Sequence, residues 1–129
     1  MGNRAVICFD EYNDDAIGIY LHWNGGRDSV ESFLKATREV MGERLGDTQY
    51  ARARLMVCIG MAIPGNLSFG LGKCKELDCN NFNNGVYVID SETMTIKERL
   101  FFDGTEQDEY DTDEFAGEIL KALKAAESV

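Results

Sequence analysis

Residues 4–9 (Arg-Ala-Val-Ile-Cys-Phe) form a short apolar run, the pattern of a strand buried on both faces. Asp10 to Asp15 then supply turn residues. From 16 to 23 the period is two, with Ile17, Ile19, Leu21 and Trp23 on one side and Gly18, Tyr20 and His22 on the other. Two strands joined by a short polar loop predict a hairpin. Asn24-Gly25-Gly26 ends the second strand, and the period changes to that of a helix. Val30, Phe33, Leu34, Val40 and Met41 share one stripe. Asp28 and Glu31 have capping-box spacing at the start of this helix, and Gly42 to Gly46 marks its end. A second helix starts from a cap at Asp47 or Thr48, runs to about Ala62 and is stopped by Pro64-Gly65. Its stretch Leu55 to Ile59 is apolar nearly all round, which predicts the most buried helix of the chain.

Alternation returns at 67–72, with Leu67, Phe69 and Leu71 opposite Ser68, Gly70 and Gly72. Cys74 to Gly85 reads as a polar loop. Val86 to Ile89 and Ile96 to Phe102 predict two further strands around a turn at Asp90 to Thr95. Phe115, Ile119, Leu120 and Leu123 define a last helical stripe, with acids at its start and Lys121 and Lys124 near its end, as the helix dipole favours. The element order is β-β-α-α-β-β-β-α. It predicts the α+β class: a mainly antiparallel sheet of about five strands with helices packed on one face.

With 129 residues the chain is read as one domain, 1–129. Its 44% hydrophobic and 28% charged residues exclude a disordered chain. No stretch approaches the ~20 apolar residues that span a bilayer, and the Met-Gly-Asn-Arg start carries no apolar signal segment. Val6 stands where a myristoylation signal has Ser or Thr. The protein is therefore expected in the cytoplasm with reduced thiols. Cys8 and Cys58 sit in apolar runs, as buried thiols do.

Charge alters the picture in one place. The net charge is −10, and the segment 103–118 holds eight of the 23 acids and no base. The remainder, 15 acids against 13 bases, is nearly balanced. This excludes direct binding to nucleic acid or an anionic membrane. It leaves two readings of Glu106, Asp108, Glu109, Asp111 and Asp113: a docking surface for a basic protein or the nucleic-acid channel of one, or a solvated surface that keeps the chain soluble.

Candidate chemistry is sparse. Gly70-Leu71-Gly72 lacks the third glycine of a dinucleotide fingerprint, since Lys75 stands there. Gly72-Lys73 lacks the glycine and hydroxyl of a phosphate loop, having Leu67 and Cys74 instead. Cys74-x4-Cys79 is half of a zinc site with no second half. The spacing of Asp108, Asp111 and Asp113 fails a calcium loop. No cofactor or metal is called for. His22 is the chain's one histidine, so any imidazole mechanism must use it, with a carboxylate such as Asp78 or a thiol beside it. The composite ligand-site candidate is His22, Asn24 and Arg27 at a strand-to-helix junction, the bare strand face at Ser68, and the loop bearing Asp78 and Asn80. The same Asn and Gly residues also read as plain turn chemistry.

Gly2-Asn-Arg-Ala-Val-Ile7, Tyr20-Leu-His-Trp-Asn-Gly-Gly26 with Ser29-Val30, and Asn83-Asn-Gly-Val-Tyr87 carry a resemblance to a family of small uncharacterised proteins of bacteriophages and mobile elements of Gram-positive bacteria. The resemblance spans most of the first 90 residues and not the acidic segment. It implies a binding protein, such as an anti-defence inhibitor, that sequesters a host protein or a nucleotide-like ligand. The alternatives are a small hydrolase or transferase using His22, and a structural module whose strand at 67–72 pairs with a partner; a homo-oligomer is left open.

Overall fold

The computed structural model describes residues 3–63, 68–106 and 108–127. Its strands are β1 (Ala5–Phe9), β2 (Ile17–Leu21), β3 (Phe69–Lys73), β4 (Val86–Asp90) and β5 (Thr95–Leu100). Its helices are α1 (Arg27–Met41), α2 (Thr48–Ala62) and α3 (Thr112–Glu127). This is the α+β order that the sequence predicts. The sheet runs β3-β2-β1-β4-β5. Two antiparallel meanders, β3-β2-β1 and β4-β5, meet at a parallel β1–β4 pair. The sheet is therefore mixed. Local hairpin signals report pairing within each meander and are silent on how the two meanders join.

All five residues of β1 are buried, so both faces of the sheet must be covered. Ala5, Ile7 and Phe9, with Ile19, Leu21, Tyr87 and Ile89, face the three helices. Val6, Cys8, Val86 and Val88 face the other way and pack with Cys74, Cys79 and the half-buried Tyr12 and Leu77. The Cys74–Gly85 loop, polar by composition, thus supplies a second small core. It opens with a 3-10 turn at Cys74–Glu76.

Two helical expectations need correction. The most buried helix is α1, not α2. It packs against both other helices and buries nine residues, whereas α2 buries Ala51, Leu55, Cys58 and Ile59 and leaves Val57 exposed. Nor does Asp28 cap α1: the N-cap is Gly26 and makes no side-chain bond. The stop signal Pro64-Gly65, the strand residue Leu67, and Met1 and Gly2 lie outside the described residues.

Where β1 ends, Asp10 adopts φ +68°, a left-handed conformation unusual for a residue other than glycine. Its carboxylate accepts the Ser91 N–H and hydroxyl, each at 2.8 Å, and the Arg52 guanidinium at 2.6 Å. This ties the carboxyl ends of the parallel strands to α2. Partial burial pushes the Asp10 pKa up, but the bonds from Ser91 and Arg52 outweigh it and hold it below the ordinary value of 3.8. A depressed carboxylate stabilises the fold above its unfolded pKa and ceases to do so as pH falls through its folded value. Asp10→Asn is expected to lower stability at pH 7, and the difference from the native chain should begin to shrink near 3.8 and vanish as pH falls through the lower folded value. Urea unfolding at several pH values measures this.

Gly85 precedes β4 at φ +67°, and a Cβ there would lie 2.2 Å from the Leu100 carbonyl oxygen. Gly70 in β3 has nothing within 4 Å of such a Cβ. Gly85→Ala should cost about 3 kcal/mol or more through strain and overlap. Gly70→Ala should leave the urea midpoint unchanged within error.

Candidate functional site

On β2, alternation sends Tyr20 to the face away from the helices, and His22 follows one residue past the end of the strand. Tyr20 Oη and His22 Nδ1 lie 3.0 Å apart. The Trp23 ring stands edge-on to the imidazole, 5.0 Å away at 88°. Gly70 pairs directly with Tyr20 and has no side chain, so the space beside the tyrosine stays open. The result is a shallow, open cleft of about 360 Å³ lined by Tyr20, His22, Ser68, Phe69 and Gly70. The His22 backbone N–H donates to the Ser68 carbonyl at 3.0 Å, which holds the two walls together. Burial first, and then the charge of Asp78, push the Tyr20 pKa up, while Arg4 draws it down. Tyr20 is thus a neutral phenol with charges of both signs nearby.

The structure divides the candidate ligand residues. His22 and Ser68 meet in the cleft. Asp78 acts on it through its charge on Tyr20. Asn80 is exposed on the neighbouring loop. Asn24 forms the turn out of β2 at φ +59°, and the next residue donates its N–H to the Asn3 carbonyl at 2.8 Å. Arg27 lies in a different cavity, of about 440 Å³, with Asp28, Glu31, Asp108 and Asp111. Sequence reasoning missed Tyr20 and Trp23. The two-residue period already placed Tyr20 beside His22, but the spacing of a strand does not reveal a gap in the next one.

The acidic segment is fastened rather than free. The Asp28 carboxylate accepts the Ser29 N–H at 2.7 Å, the Glu109 N–H at 2.5 Å and the Tyr110 N–H. In return Asp108 accepts the Asp28 N–H at 3.1 Å. Here a carboxylate of the chain itself fills a nest of backbone amides. Glu106 pairs with Arg27 at 3.8 Å and Arg99 at 3.2 Å. Glu109 accepts from Asn3 at 3.0 Å, Asp111 accepts the Glu114 N–H at 2.9 Å, and Asp113 pairs with Lys35 at 2.6 Å. Each of the five candidate docking acids therefore has a partner within the fold.

The loop bearing Asp78 and Asn80 is organised by Asn81. Its side chain accepts the Asn83 and Gly85 N–H groups at 3.1 and 3.0 Å and donates to the Asp78 carbonyl at 2.9 Å. Beside it, Phe82 is 87% exposed.

All four thiols are free and buried. Cys8 donates to the Glu11 carbonyl at 3.0 Å and Cys79 to the Cys74 carbonyl at 3.1 Å. Burial pushes the Cys58 and Cys79 thiols up, and contact with Cys8 and burial push Cys74 up, so all three are held as neutral thiols. Among the described residues no group of three His, Cys, Asp or Glu is arranged to hold a metal ion.

The fold and the cleft define an α+β domain with a mixed five-stranded sheet and an imidazole–phenol site near one sheet edge. Comparison with protein-family models, with curated proteins and with solved structures found no match. No helix among the described residues is long and apolar enough to cross a membrane.

Asp28→Ala should leave the Glu109 and Tyr110 amides without an acceptor and cost about 2 kcal/mol. Hydrogen exchange should quicken at those two amides while β1 stays protected. Equal quickening across the sheet would show that Asp28 supports the whole fold and not this junction.

Proposed function

We propose that this chain is a small cytoplasmic binding protein that captures a planar, hydrogen-bonding ligand of nucleotide-like kind in the His22 cleft. The observation that carries the reading is the 3.0 Å Tyr20–His22 pair beside the open space over Gly70. Tyr20 orients the imidazole through Nδ1, which leaves Nε2 for a ligand. The Trp23 ring offers an apolar face beside the imidazole, and the charges of Arg4 and Asp78 lie near enough to act on Tyr20. Stoichiometric capture in a phage or mobile element, as in an anti-defence role, is what the resemblance over most of the first 90 residues would favour.

The geometry favours binding over turnover. A hydrolase or transferase would need a carboxylate or thiol oriented on the imidazole, and the bond found at Nδ1 is to a tyrosine hydroxyl. It also favours the cleft over the acidic surface, because Glu106, Asp108, Glu109, Asp111 and Asp113 are engaged within the fold.

Trp23 is the one tryptophan of the chain and reports on the cleft directly. Titration with nucleosides and nucleotides, followed by its fluorescence and by native mass spectrometry, should give a one-to-one adduct. His22→Gln should weaken binding about tenfold, the loss of one good hydrogen bond. Gly70→Val, which fills open space, should abolish binding without loss of fold. Arg27→Ala, in the other cavity, should bind as the native chain does. An adduct lost in Arg27→Ala and kept in Gly70→Val would move the site to the acidic cavity. No adduct with any of these ligands would sink the reading.

A further inference from the structure

The two edges of the sheet are defended very differently. β5 carries Lys97, Glu98 and Arg99, pairs across a bulge at Val88/Ile89, and leans on Glu106 of the acidic segment. Charge and bulge are the usual guards against edge-to-edge pairing. β3 reads Phe-Gly-Leu-Gly-Lys and has neither bulge nor proline. Leu71 is 59% exposed, and Ile17, diagonal to it on β2, is 46% exposed. Together they form an apolar strip along an open edge.

The register shows which backbone groups that edge presents. His22 N–H donates to Ser68 and Cys74 N–H to Ala16, so the even-numbered residues of β3 make the ladder to β2. The N–H and C=O groups of Phe69, Leu71 and Lys73 therefore point outward. The sequence is symmetric about Leu71, with glycine on either side and a large side chain two positions out. We infer that β3 pairs antiparallel with β3 of a second copy of this chain, about a two-fold axis at Leu71, to give a ten-stranded sheet.

In that register Leu71 faces Leu71 and Phe69 faces Lys73, all three as hydrogen-bonded pairs, for about six backbone bonds. Phe69, Leu71 and Lys73 lie on the helix side, opposite Leu21, Ile19 and Ile17. The two exposed leucines therefore cover each other, and each lysine ammonium meets the other copy's phenyl ring. Glycine meets glycine on the opposite face, where no side chain blocks approach. The two lysines are about 14 Å apart along the strand, beyond the screening length in physiological salt. A partner unrelated in sequence would meet the same open edge but would have no reason to match its symmetry, which is why the second copy is the occupant inferred.

Sedimentation velocity on the full chain should show a dimer at concentrations well below about 1 mM. Leu71→Glu places like charges on the axis and should weaken the dimer at least about tenfold, with an unchanged urea midpoint because Leu71 is exposed. Leu71→Cys places two thiols across the axis on Cα atoms about 5.5 Å apart, within disulfide reach. Oxidised glutathione should link them, each new disulfide forming as two glutathione thiols are released. The native cysteines are buried and should not cross-link. A chain that stays monomeric to about 1 mM overturns the inference. So does a dimer that persists in Leu71→Glu while Leu71→Cys gives no disulfide-linked pair.

Discussion

Everything in this fold follows from burying β1 on both faces. A strand without a solvent side needs a neighbour on each edge and a cover on each face. β2 and β4 are the neighbours, one antiparallel and one parallel. The helices cover one face. The other is closed by the buried Cys74 and Cys79, by Leu77 and by the ring of Tyr12. Gly18 allows that cover to come close: a Cβ there would sit 3.0 Å from the Ile7 carbonyl oxygen and 3.2 Å from Leu77. The loop cover reaches only part of its face. Above Gly18 and Gly72 lies Leu77, whereas above Gly70 nothing lies, and there the His22 cleft opens.

The charge of the molecule is placed by the same economy of contacts. A run of eight acids could have projected as a loose tail. Instead the Asp28 carboxylate anchors the backbone of the run, and Arg27 and Arg99 take up Glu106. Arg99 itself is held between the Tyr87 and Phe102 rings, 3.9 and 3.7 Å from their centres. The acids remain hydrated on their outer sides, so the surface keeps its negative field while the segment keeps a defined path.

Much of the architecture could be read from the chain. Periods of two and of 3.6, together with short apolar runs, located all eight elements, because these patterns are the local record of which faces are buried. The β1–β4 pairing could not be read, since nothing local encodes which hairpin edges meet. The burial order of the helices was misjudged because an apolar stretch such as Leu55 to Ile59 says how much could be buried, whereas α1 is central by position. Asp28 looked like a cap because its spacing to Glu31 fits one. Its carboxylate bonds instead to amides about 80 residues away, an interaction without a sequence signature. His22 and Ser68 were legible as site residues. Arg27 and the His22 cleft were not separable, because a short linear segment can serve two sides of one sheet end.

Four buried thiols in one small domain also bear on how it survives damage. While the chain is folded, burial keeps each of them out of reach of oxidants in solution. Once the chain opens, all four are released together into one flexible polymer, free to join in wrong pairs. In air, thiol mispairing then competes with refolding, and wherever it is the faster the working lifetime of the protein is set by how rarely it opens and not by how favourably it closes.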